Sequence, residues 1–81
     1  MIERIFEEIA EELKRAKIKH PLFPKSLVRM TAIMAEEAGE AIKEANLIED
    51  EGRNRFKEYK EELIQTAAMC VRILEILEMN K

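Results

Sequence analysis

Three glutamates, Glu36, Glu37 and Glu40, stand directly after the uncharged run Met30-Thr31-Ala32-Ile33-Met34-Ala35. At about 100° per residue, helical geometry puts Glu37 beside Met30, Ile33, Met34 and Ala41, at the border of an apolar face. Glu40 shares a side with Glu36 at i+4 and with Glu37 at i+3, close enough for the carboxylates to converge on one cation. Further along, Glu62 heads a stripe through Thr66, Met69 and Ile73, with Gln65 one turn on. If two antiparallel helices flank a loop centred near Glu51, Glu40 falls opposite Glu62 and Glu37 opposite Gln65. Carboxylates crowded beside apolar surface repel and lose hydration, a situation relieved by raised pKa values or by a bound cation.

The donor types narrow that cation. Oxygen ligands without sulfur or imidazole suit a hard ion such as Mg²⁺. A di-iron bundle takes two Glu-x-x-His motifs, and the chain has a single histidine, His20, outside the expected helices. Cys70 and His20 offer no zinc-ligand spacing. An acidic column also has a purely structural reading: Glu3, Glu7 and Glu11 repeat at i+4 and end in Arg15, the pattern of a solvated helix face. Cys70, in an apolar run, reads as a small core residue.

The elements that must position these acids are helices. Two glycines and two prolines are the main breaks, and no strand-like alternation occurs. The expected fold is all-α: one domain over residues 1–81, an antiparallel bundle of three main helices at about 2–17, 26–47 and 54–79. The first buries Ile2, Ile5, Phe6, Ile9, Leu13 and Ala16 on one face. His20-Pro21-Leu22-Phe23-Pro24 then breaks the chain, with Leu22 and Phe23 expected to plug the core. Ser26 is the expected N-cap of the second helix, whose apolar face is Leu27, Met30, Met34, Ala38, Ala41 and Ala45. Residues 48–53 read as a polar loop, with Asn54 capping the third helix.

That third helix carries two apolar stripes. The expected core face is Phe56, Tyr59, Leu63, Ala67, Cys70, Leu74 and Leu77; a second stripe runs through Met69, Ile73 and Ile76. The surplus is where a partner subunit is expected to pack, so oligomerisation as a homodimer or homotetramer completes the bundle. Composition agrees: 81 residues with 47% hydrophobic but only 5% aromatic side chains make a thin core. A net charge of −3 lacks the basic excess that a phosphate backbone requires, so no nucleic-acid partner is expected. No apolar stretch approaches ~18 residues and no signal-peptide core is present, so the expectation is no membrane partner and a cytoplasmic location.

From His20 to about Met79 the chain resembles the all-α nucleoside triphosphate pyrophosphohydrolases of the MazG type. Their pattern is Glu-Glu-x-x-Glu on one helix and Glu-x-x-Asp on the next. Glu36-Glu37-Ala38-Gly39-Glu40 matches the first part, and Glu62-Leu63-Ile64-Gln65 stands at the second, with Gln65 where the family has Asp. The runs Glu61-Glu62-Leu63-Ile64-Gln65-Thr66-Ala67-Ala68 and His20-Pro21-Leu22-Phe23-Pro24 look like those of a branch of small members. The resemblance implies Mg²⁺, with Mn²⁺ as the alternative ion, held by Glu36, Glu37, Glu40, Glu62 and Gln65. It also implies hydrolysis of a nucleoside triphosphate to the monophosphate and pyrophosphate, with Glu37 or Glu40 orienting the water. Lys43, Lys57, Lys60 and His20 are the expected substrate contacts, with Arg72 a further phosphate candidate. Gln65 brings no negative charge, which weakens metal binding. A catalytically silent helical module with a vestigial acidic site is therefore the competing expectation.

Overall fold

The computed structural model describes residues 1–80, which form α1 (Ile2–Lys19), α2 (Leu27–Glu51) and α3 (Phe56–Met79), with no strand among them. The chain is all-helical, as its periodicity requires. None of these helices is long and apolar enough to cross a membrane.

α3 is the central element. α2 returns antiparallel beside it and α1 lies along its other flank, while the α1 and α2 backbones do not approach each other. The direction of α1 follows from two ion pairs in the same chain order, Lys60 to Glu8 at 3.4 Å and Lys17 to Glu75 at 2.8 Å. α1 and α3 therefore run parallel. These pairs are exposed and contribute little to stability, so packing must hold α1 in place. Leu13 supplies that packing against Ala68 and Met69, with Ile9, Ala16, Phe23, Ile33, Met34 and Val71 around them. On α2, Met30 and Ala41 are buried.

Local chemistry accounts for most helix ends. Ser26 caps α2 as expected, its Oγ accepting from the Arg29 amide at 3.3 Å. The other end of α2 is a correction: Ile48, Glu49, Asp50 and Glu51 are helical, not loop. Glutamate and aspartate are polar but do not break a helix, and Leu47 and Ile48 are half-buried. Gly52 is the true stop, at φ +63°, where a β-carbon is strained. Its amide and that of Arg53 both reach the Leu47 carbonyl, closing the terminus in a Schellman-like turn. α3 begins after Arg55, without a side-chain cap from Asn54.

Core expectations are corrected in every part of the chain. Ile2, Ile5 and Phe6 of α1, expected on a covered face, are exposed because α1 meets α3 only around Leu13, and Leu27 of α2 is exposed too. Leu22 is exposed, and only Phe23 of the linker reaches the core. On α3 the stripes exchange roles: Met69 is buried, whereas Phe56, Leu63, Leu74 and Leu77 are exposed. Both stripes have helical spacing. The approach of α1 and α2 toward Ala68, Met69 and Arg72 decides which one is covered.

Candidate functional site

The buried side of α2 carries Glu37 toward α3, and α3 answers with Glu62 and Gln65, all three half-buried. The expected pairing of Glu37 with Gln65 is realised. With its amide oriented as the neighbouring acceptors dictate, Gln65 Nε2 donates to Glu37 Oε2 at 2.7 Å and to Glu62 Oε2 at 3.3 Å. The Glu62 carboxyl is pushed up to about 7 by burial first, then by its hydrogen bond with Glu37 and the negative charges of Glu37, Glu40 and Glu44. Near neutral pH the Glu62 carboxyl is therefore only partly ionised, and the Gln65 amide bridges it to Glu37.

Glu44 meets the opposite fate. It is 7% exposed, yet Arg55 clamps it with Nε to Oε1 at 2.8 Å and Nη2 to Oε2 at 2.7 Å. That bidentate guanidinium holds Glu44 below the ordinary carboxylate range, with Lys43 contributing weakly. Sequence reasoning missed this pair. Its signal was available on α2, where Glu44 follows Glu37 by seven residues and so shares its inward side. Arg55, four residues past the helix end, gave no comparable sign.

Glu36 and Glu37 line a cavity of about 520 Å³ together with Gln65. The end of α1 and the linker bring Lys19, His20 and Arg15 to the other side of this cavity, Arg15 being ion-paired with the lining Glu12 at 2.9 Å. Arg72, read from sequence as a phosphate candidate, is 6% exposed and fixes the linker instead. Its Nη2 donates to the His20 carbonyl at 2.8 Å, and its guanidinium lies 4.3 Å from the Phe23 ring centroid. Of the expected substrate contacts His20 and Arg72 border this cavity, Arg72 with its guanidinium already engaged by the linker. Lys57 and Lys60 border a second cavity of about 550 Å³ between α1 and α3, where Lys60 pairs with Glu8. Gln65 borders both cavities. Lys43 and Glu40 are exposed on α2.

Among the described residues no three His, Cys, Asp or Glu side chains converge as a metal-holding group. The assembled centre is thus two facing carboxylates and one amide, with Glu36 and Glu40 on adjoining positions of α2. In donor type these residues suit a hard cation: every one offers oxygen, and Glu37 and Glu62 lack an ion pair among the described residues.

The two perturbed acids set the pH dependence of stability. Because the folded-state pKa of Glu62 is raised, its contribution is fully present below the unfolded value near 4.5 and is lost as pH rises through about 7. Glu44 has the reverse sign: its contribution is present above about 4.5 and disappears as pH falls through its lowered folded value. Melting temperatures measured in metal-free buffer are expected to decline from pH 5 to pH 8 in the wild type. A Glu62→Gln variant should lose much of that decline, and an unchanged slope in the variant would contradict the assignment to Glu62. No protein-family model, curated protein or solved structure matches this chain.

Proposed function

We propose that the chain binds a divalent cation, Mg²⁺ or Mn²⁺, with a nucleoside triphosphate and hydrolyses it to the monophosphate and pyrophosphate. The observation that carries this reading is the pair Glu37 and Glu62, two carboxylates facing each other beside a cavity that Lys19 and His20 border on the other side. In this reading Glu37 and Glu62 hold the cation, Glu36 and Glu40 add oxygens from α2, and Gln65 turns its amide to present oxygen. The bound ion supplies charge neutralisation on the phosphates. Lys19 and His20 attract the phosphate chain from the α1 side. Glu37 or Glu40 orients the water that adds to the α-phosphorus as its bond to the bridging oxygen breaks and pyrophosphate leaves.

A silent helical module is the second reading, favoured by one contact: the Gln65 amide already bridges both acids without a cation. Thermal melts in the presence and absence of Mg²⁺, with a panel of nucleoside triphosphates and pyrophosphate detection, separate the two. The enzyme raises its melting temperature with ligand by mass action and releases pyrophosphate. A melting temperature indifferent to Mg²⁺ and nucleotide, with no pyrophosphate, selects the silent module.

A further inference from the structure

Glu44 and Arg55 stand outside the proposed cation site, yet they repeat its geometry. Counting seven residues back along α2 from Glu44 reaches Glu37, and seven forward along α3 from Arg55, its N-cap, reaches Glu62. That step is about two helical turns, so the members on each helix share one side, about 10 Å apart along its axis. In an antiparallel hairpin the two crossings, Glu44 with Arg55 and Glu37 with Glu62, therefore belong to the same register. The contacts agree. Arg55 grips Glu44 at 2.8 and 2.7 Å, and Gln65 joins Glu37 to Glu62 at 2.7 and 3.3 Å.

Apolar packing defines this register only weakly. Between Met30 and Glu44 the one buried side chain of α2 is Ala41, with Ala38 and Ala45 half-buried beside it. Ridges of single methyl groups interlock shallowly with a facing helix. Glu44 is the one charge that α2 buries, and apolar side chains of the same volume would stabilise a fold as well as a buried ion pair or better. What the pair adds is direction. A planar guanidinium meets both oxygens of a carboxylate in a narrow range of arrangements, and a slip that separates the partners leaves Glu44 buried and uncompensated.

We propose that Glu44 and Arg55 are positioning residues for the acidic centre: their ion pair sets the α2–α3 register in which Glu37 meets Glu62 and Gln65. Neither residue touches the cation or the nucleotide. Turning α2 by the angle of one residue, about 100°, carries Glu37 away from α3, and the clamp two turns away opposes that rotation. The consequence for turnover rests on the proposed reaction, whereas the register is a property of the fold and is measurable without it.

Gln65 is the single glutamine of the chain, so isotope labelling of glutamine alone gives one side-chain amide to observe by nuclear magnetic resonance. In the wild type its protons are expected to be shifted by the two carboxylates and slow to exchange with water. Glu44→Leu with Arg55→Met keeps the buried volume and removes the direction. This double variant is expected to stay helical and to melt no lower than the wild type, yet to lose both the shift and the exchange protection of Gln65. A purely stabilising role for the pair would leave that signal unchanged. Arg55→Lys, which keeps the charge but not the planar fork, should retain part of the protection. Pyrophosphate release, assayed in parallel, is expected to fall through kcat in step with the Gln65 signal. A wild type that shows the bridged amide and releases no pyrophosphate refutes the proposed reaction and supports the register. A wild type without the bridged amide, a double variant that keeps it, or an Arg55→Lys variant that protects it no better than the apolar pair overturns the positioning role.

Discussion

Glu62→Gln is expected to lower pyrophosphate release at least ~100-fold and, in metal-free buffer at pH 8, to raise the melting temperature. One substitution should thus move function and stability in opposite directions. The neutral amide keeps the size of the side chain and still donates to Glu37, as the protonated carboxyl does. It removes the charge that burial and Glu37 oppose, so the folded state no longer carries the penalty that Glu62 incurs when it ionises above about pH 7. The same change removes a full negative charge from the proposed cation site, which already has an amide at Gln65. Mg²⁺ should then give little or no thermal stabilisation. Turnover at the wild-type level would remove Glu62 from the reaction, and a variant that melts lower at pH 8 would show that its carboxylate is a structural asset, not a strained one.

Arg72→Ala is expected to be strongly destabilising although it lies outside the apolar core. The guanidinium is buried, donates to the His20 carbonyl and lies over Phe23, so it joins the linker to α3 through two different interactions. Their loss costs about 2 kcal/mol, which for a chain of this size lowers the melting temperature by roughly 10 °C. Truncation also leaves a void beside Met69 and frees the segment that carries His20, so the cavity loses part of its boundary. Arg72→Lys provides the control. A lysine keeps the charge and a donor but not the planar group that lies over the ring, so it should recover only part of the loss. Differential scanning calorimetry of the two variants measures both effects, and an Arg72→Ala melt equal to the wild type would show that Leu13 and Phe23 packing alone holds the linker.

The acidic centre was legible because helix periodicity and hairpin height are both local arithmetic. Glu37 and Gln65 share one level of a hairpin whose turn is centred at Glu51, and the structure brings them to 2.7 Å. The exact end of α2 matters less, since antiparallel neighbours tolerate a small shift before a different turn of the helix faces across. Glu44 and Arg55 were missed for a different reason. A buried ion pair is recognisable only when both partners are placed, and Arg55 reaches Glu44 from beyond the turn that Gly52 makes. Arg72 misled in the same way, because a long cation on a helix reads as solvated until a distant carbonyl and ring are brought to it.

What the chain determined by itself was the number and type of its elements. Three stretches have helical apolar spacing, Ser26 can cap, Pro21 and Pro24 deny a helix to their predecessors, and Gly52 can take a left-handed backbone at little cost. These are properties of a few consecutive residues and need no neighbour. Tertiary structure alone decided which side of α3 is covered. Its two apolar stripes are nearly equivalent on hydrophobicity, and the choice of Met69 over Leu63 came from where α1 and α2 could both meet the same helix. It also decided the different states of Glu44 and Glu62, chemically identical side chains. Burial disfavours the charge on both; the Arg55 guanidinium overrides it at Glu44, whereas at Glu62 the neighbouring Glu37 adds to it.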